Sequence, residues 1–121
     1  VLYAHGGGFV CCNSEVLLHS VTAFARAGYV VYSIDYPLSP ENRFPTAVIS
    51  VLKALQFMRV RDNAKEVHLL GDSAGGALVS VAAALLSNRE LMADLMKSLK
   101  EPINPKYFPD VNRLCSVYGI M

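Results

Sequence analysis

Short apolar runs alternate with stretches of helical period along this chain. Val1-Leu2-Tyr3-Ala4 reads as the end of a buried strand that runs into Gly6-Gly7-Gly8. Asn13 or Ser14 caps a helix, with Glu15 in its first turn. Leu17, Leu18, Val21, Phe24 and Ala25 keep its period, and Gly28 stops it. Tyr29 to Tyr36 is β-branched and apolar and predicts a second strand. Pro37, Pro40 and Pro45 mark a loop. Ala47, Val48, Val51, Leu52, Leu55 and Met58 then share one helical face, while Lys53, Gln56 and Arg59 point away. Asp62-Asn63 turns the chain into a strand over Glu66 to Leu70. A third helix follows from about Ala74 to Ser87. Asn88 to Asp110 suggests a helix over Leu91 to Leu99 and a Pro-rich loop, and Arg113 to Tyr118 a fourth strand.

Four strands are therefore separated in turn by helices. The order implies an α/β architecture: a parallel four-stranded sheet, right-handed crossovers and helices on both faces. The strands lack alternating polarity, as expected when both faces are covered.

Composition narrows the reading. With 121 residues, 53% hydrophobic and 17% charged, the chain makes one core and is not disordered. A formal charge of +1 with no basic stretch interleaved with aromatics argues against a nucleic-acid partner. Three cysteines (Cys11, Cys12 and Cys115) fit neither a metal knuckle nor a redox spacing, so no metal site is expected. They suggest a reducing, cytoplasmic setting. Cysteine is most often a small buried hydrophobe, which is the ordinary reading of Cys11 and Cys12, with a reactive thiol as the alternative. No run is long enough to span a bilayer.

Two glycine motifs carry the chemistry. Gly71-Asp72-Ser73-Ala74-Gly75 lies between a strand and a helix, the setting of a nucleophile elbow. Such a turn is too tight for side chains on both flanks, so Gly71 and Gly75 are expected where a Cβ would clash. Gly76 is expected to let the helix approach its neighbours. Ser73 is thereby pushed out at the carboxyl end of the sheet, beside the amides of the following helix. A serine in an ordinary glycine turn is the plainer alternative, which the flanking strand and helix weaken. His5-Gly6-Gly7-Gly8-Phe9 also follows a strand. Glycines let backbone amides face a ligand, and an oxyanion needs two or more such donors. Gly6, Gly7 and Ala74 are the candidate donors. His5 reads as a residue that orients the loop through its ring, with Gly8, rather than as an acid or base. A phosphate-binding loop is disfavoured, since the segment lacks both the Lys-Ser/Thr ending of a P-loop and the third-glycine spacing of a dinucleotide loop.

These motifs stand in order with Ile34-Asp35-Tyr36-Pro37-Leu38-Ser39-Pro40-Glu41 and Phe44-Pro45-Thr46-Ala47 between them. Together they resemble the hormone-sensitive-lipase-like branch of the α/β-hydrolases, over Val1 to about Leu86 and again at the last strand. The resemblance implies carboxylic-ester hydrolysis through an acyl-enzyme on Ser73, a small-molecule ester as partner, and neither metal nor organic cofactor. Pro37 and Ser39 depart from it, where the family often has Arg and Ala. Asp35, Tyr36 and Glu41 match it and read as loop braces.

Ser73 needs a general base, usually a histidine set by a carboxylate. In this fold both follow the serine along the chain. No histidine follows Ser73; His5, His19 and His68 all precede it. His68 is five residues up the strand, about 15 Å from the elbow at ~3.3 Å per residue. It reads as a histidine packed under a helix, and His19 as solvated. Glu90, Asp94, Glu101 and Asp110 carry no acid motif. The expectation is that residues 1–121 form part of a catalytic domain, without the N-terminal cap and the C-terminal acid and histidine, and are inactive alone. The alternative is a non-catalytic small-molecule receptor on the same fold.

Overall fold

The computed structural model describes residues 1–100 and 103–117. Four parallel strands form one sheet in the order β2-β1-β3-β4, where β1 is Leu2–Ala4, β2 Tyr32–Ile34, β3 Glu66–Asp72 and β4 Asp110–Val117. Between them run α1 (Leu18–Arg26), α2 (Thr46–Asp62), α3 (Ser73–Ser87) and α4 (Arg89–Ser98). The β1-to-β2 step goes one way across the sheet, and the next two steps go the other way. Right-handed crossovers therefore put α1 on one face and α2 with α3 on the opposite face.

The covered face makes the core. Leu2, Ala4, Val67 and Leu69 from the sheet meet Val48, Val51, Leu52, Leu55 and Met58 of α2 and Leu78, Val79 and Ala82 of α3. The apolar face expected for α2 is the one buried, Ala47 being partly covered at its start. Asn63, in left-handed conformation at φ 52°, ends that helix at the expected turn. Burying a side chain of Val or Leu size stabilises by roughly 1.5–3 kcal/mol, so this layer dominates the folding energy.

The other face is thinner. In α1 the buried residue is Val21. The helix starts at Leu18, not at Asn13 or Ser14. Asn13 closes an isolated turn onto the Glu15 amide, and Ser14 is drawn to the Asp35 carboxylate by its N–H (2.6 Å) and its hydroxyl (3.0 Å). Those tertiary bonds outcompete a cap. Gly28, at φ 94°, ends the helix as expected. The second strand is shorter than its apolar run. Tyr32–Ile34 pairs with Leu2–Ala4, while the side chains of Tyr29 and Val30 stay exposed and the Val30 carbonyl accepts from the Val1 amino group at 2.7 Å. His68 half-faces this side, its ring edge-on to Tyr29 at 5.7 Å, with Nδ1 buried and without a hydrogen-bond partner among the described residues. His19 is exposed.

At the far edge, Asn88 caps α4 by accepting from the amides of Glu90 and Leu91, which starts it two residues before the expected point. β4 begins at Asp110 rather than Arg113, since the Asp110 N–H donates to the Lys65 carbonyl at 2.8 Å and opens the pairing with β3. The expected strand end at Tyr118, and Glu101, lie outside the described residues. No helix of the described residues is long and apolar enough to cross a membrane.

Candidate functional site

The site begins where β1 and β3 end side by side. Ala4 pairs with Gly71, so the glycine loop and the elbow leave the sheet as neighbours. β3 runs through Asp72, and α3 starts at Ser73 with no intervening loop. That abrupt reversal holds Ser73 at φ 47°, a left-handed conformation strained for a residue with a Cβ. Ser73 is half-buried, and its hydroxyl makes no hydrogen bond among the described residues.

The flanking glycines are steric requirements. A Cβ on Gly75 would lie 2.0 Å from the Ala4 carbonyl oxygen and 2.5 Å from that of His5. One on Gly71 would lie 2.5 Å from Gly75 backbone atoms. The first contact matters most, because it presses the start of α3 against the root of the glycine loop. The two motifs are thus brought together by a helix whose first turn is bare. Ala74 follows in that turn, where an amide has no acceptor one turn back. Gly76 is buried there, its carbonyl accepting from Ser80 Oγ at 2.8 Å.

The glycine loop is held open in an unusual backbone. Gly7, Gly8 and Phe9 have φ of 120°, 61° and 68° in succession. The Gly7 carbonyl accepts from the amides of Val10 and Cys11, both at 3.1 Å, and Phe9 is anchored by the Ser39 amide. The His5 ring is buried, with Nδ1 2.6 Å from the Gly6 carbonyl and its face stacked on Tyr36 at 4.4 Å. The Tyr36 hydroxyl donates to the His5 carbonyl at 2.6 Å. Burial, with the Asp72 charge adding, pushes the Tyr36 phenol up to about 12.

One expected donor is differently engaged. The Gly6 N–H donates to Asp72 Oδ1 at 3.0 Å, so it does not face open space. The cause is the closeness of the two motifs: a Cβ on Gly6 would lie 2.4 Å from the other Asp72 oxygen. The amides of Gly7 and Gly8 make no hydrogen bond among the described residues. The Tyr3 hydroxyl also donates to Asp72 Oδ1, at 2.6 Å. Burial, then the bond to Asp72 and its charge, push the Tyr3 phenol well above its ordinary value. The Tyr3–Asp72–Gly6 tie was missed in the sequence. Its one signal is a tyrosine in an otherwise aliphatic strand beside an acidic elbow residue.

The profile of the α/β-hydrolase fold family matches residues 1–107. The chain belongs to that family. Within the hydrolases it falls in the hormone-sensitive-lipase-like branch. It is similar to an ethyl acetate hydrolase of Pseudomonas putida, 31% identical over 129 residues, covering 98% of this chain and 40% of that protein. Among solved structures, an esterase of Pyrobaculum calidifontis is 38% identical with a TM-score of 0.66, covering 74% of this chain and 31% of that one. A hormone-sensitive lipase from a metagenome library is 30% identical with a TM-score of 0.63, covering 74% and 32%. The chain thus spans well under half the length of the relatives it matches.

A cavity of about 760 Å³ lies at the other end of the sheet, lined by Leu86, Met92, Met96, Phe108 and Val111 among others. Val111 pairs with Val67 near the start of β3, whereas Ser73 follows its end, so the cavity is not part of this site.

Proposed function

We propose that this hydrolase acts on small carboxylic esters through an acyl-enzyme on Ser73. The supporting observation is the elbow: Ser73 at φ 47°, between glycines that seat it against the root of the glycine loop. Its Oγ attacks the ester carbonyl carbon, the alcohol leaves, and water then cleaves the acyl–serine bond. The carbonyl oxygen becomes an oxyanion, met by the N–H groups of Gly7 and Ala74. Gly8 takes the place first expected of Gly6, whose amide is given to Asp72. His5, Tyr36 and Ser39 keep the loop in shape, and Asp72 ties it to the elbow.

The base is not among His5, His19 and His68 in this proposal. His5 is locked against Tyr36 and Gly6, His19 is exposed, and His68 packs on Tyr29 in mid-strand. Glu90, Asp94 and Asp110 likewise take no part. The 121-residue chain alone is then nearly inactive, with residual acceleration of order 10³ over water. Expressed in its full gene context, the protein should be labelled at Ser73 by a serine-reactive phosphonate, and Ser73→Ala should abolish the label. A full-context protein that binds short-chain esters, hydrolyses none and stays unlabelled would instead establish the receptor reading.

A further inference from the structure

We propose that Cys11 and Cys12 form a two-thiol site for a soft, thiophilic centre, placed where its occupation acts on the glycine loop. Adjacent side chains of an extended segment point to opposite sides. Here Cys12 stands at φ 76°, and the reversal brings both sulfurs to one side, 3.7 Å apart. Two bonds of ~2.3 Å to one bridging centre, at an angle between the pyramidal ~95° and the tetrahedral ~109°, set their sulfurs about 3.4–3.8 Å apart. A disulfide would need ~2.05 Å, well short of the separation found, and neighbouring cysteines rarely bridge without strain. The spacing therefore suits one bridging atom better than a direct bond. Both thiols are exposed, not buried as expected of cysteine, so a ligand reaches them without unfolding.

The chemistry suits a trivalent arsenical or a similar soft electrophile with two open positions. The Cys12 thiol is pushed up, first by its S–H contact with Cys11. An arylarsine oxide accepts two such thiols directly. Two As–S bonds form, the As=O bond is lost, and its oxygen leaves as water with the two thiol protons. Arsenic stays trivalent, and no electrons are exchanged.

Capture has a consequence for the loop. The Cys11 S–H donates to the Gly7 carbonyl at 3.2 Å, and that proton leaves on capture. The Gly7 turn loses one of its restraints while an aryl group settles beside it. This regulatory half rests on the esterase reading; the binding half does not.

Phenylarsine oxide tests both. In the folded chain the free-thiol titre should fall from three to one, and in Cys115→Ser the adduct should persist. Two-point attachment should hold arsenic ~10²-fold longer against glutathione than either Cys11→Ser or Cys12→Ser does. The adduct should also outlast that of the guanidine-unfolded chain, because the folded backbone pre-places the sulfurs. A titre falling by one or none, or equal retention in the single-cysteine variants or the unfolded chain, overturns the site. In the full-context protein the adduct should suppress phosphonate labelling of Ser73, and 2,3-dimercaptopropanol should restore it. Unchanged labelling with the adduct intact overturns the regulatory half. Absence of labelling before any arsenical is added refutes the esterase reading and leaves the thiol result standing.

Discussion

Gly6→Ala tests whether Asp72 is the tie between the two motifs. The glycine is not at a positive φ, so alanine meets no backbone penalty there, and through the unfolded state it should stabilise by ~0.4–1 kcal/mol. The added methyl, however, would lie 2.4 Å from Asp72 Oδ2 and 3.2 Å from Ser73 Cβ. The carboxylate must move, and it carries both the Gly6 N–H and the Tyr3 O–H bonds. Hydrogen bonds to a charged group contribute ~1.5–3 kcal/mol each, so their joint loss costs about 3–6 kcal/mol. The net expectation is destabilisation by about 2–5 kcal/mol, a large part of a domain's ~5–15 kcal/mol. Urea unfolding followed by far-ultraviolet circular dichroism reads it. The decisive comparison is a double-mutant cycle with Asp72→Ala. In that background the carboxylate is gone, and the same methyl should cost no more than ~1 kcal/mol. An equal cost in both backgrounds would show that the methyl acts elsewhere, and the tie would be refuted.

Gly75→Ala should abolish folding, since its methyl would meet the Ala4 carbonyl oxygen at 2.0 Å with backbone on both sides; loss of the cooperative urea transition is the readout. Ser73→Gly should remove a left-handed strain of ~1–3 kcal/mol and raise the urea midpoint while eliminating phosphonate labelling in the full-context protein. Stability should fall as pH rises above about 10. Both Tyr3 and Tyr36 have folded pKa values raised above the ordinary 10.0, so their contribution is complete below that value and is lost as pH climbs through the folded values. Tyr3→Phe with Tyr36→Phe should flatten that alkaline limb in pH-dependent melts. Leu52→Ala, at a fully buried position between sheet and helix, should cost ~2–5 kcal/mol by urea unfolding.

Much of this molecule is legible along the chain. The α2 face, the parallel order, and the strand–turn–helix around Ser73 follow from local period and from glycine placement, which report backbone geometry one turn at a time. The reason is that α2 and α3 bury a face continuous in their own sequence, and a tight turn demands glycine whatever surrounds it. Helix starts were less legible. Ser14 has the chemistry of a cap, yet Asp35, twenty-one residues on, takes both its donors.

Which glycine amides remain open was likewise settled only by the tertiary structure. Along the chain Gly6 and Gly7 read alike as donors, and Gly8 as a residue that shapes the loop. In the fold, Asp72 arrives from sixty-six residues away and takes the first of them, together with the Tyr3 hydroxyl. Hydrogen-bond partners so distant leave no periodic trace, because their meeting depends on the register of β1 against β3. The sequence by itself therefore determined the architecture, the elbow and the loop. The third dimension decided which donors the loop keeps free, and it set two neighbouring thiols on one side.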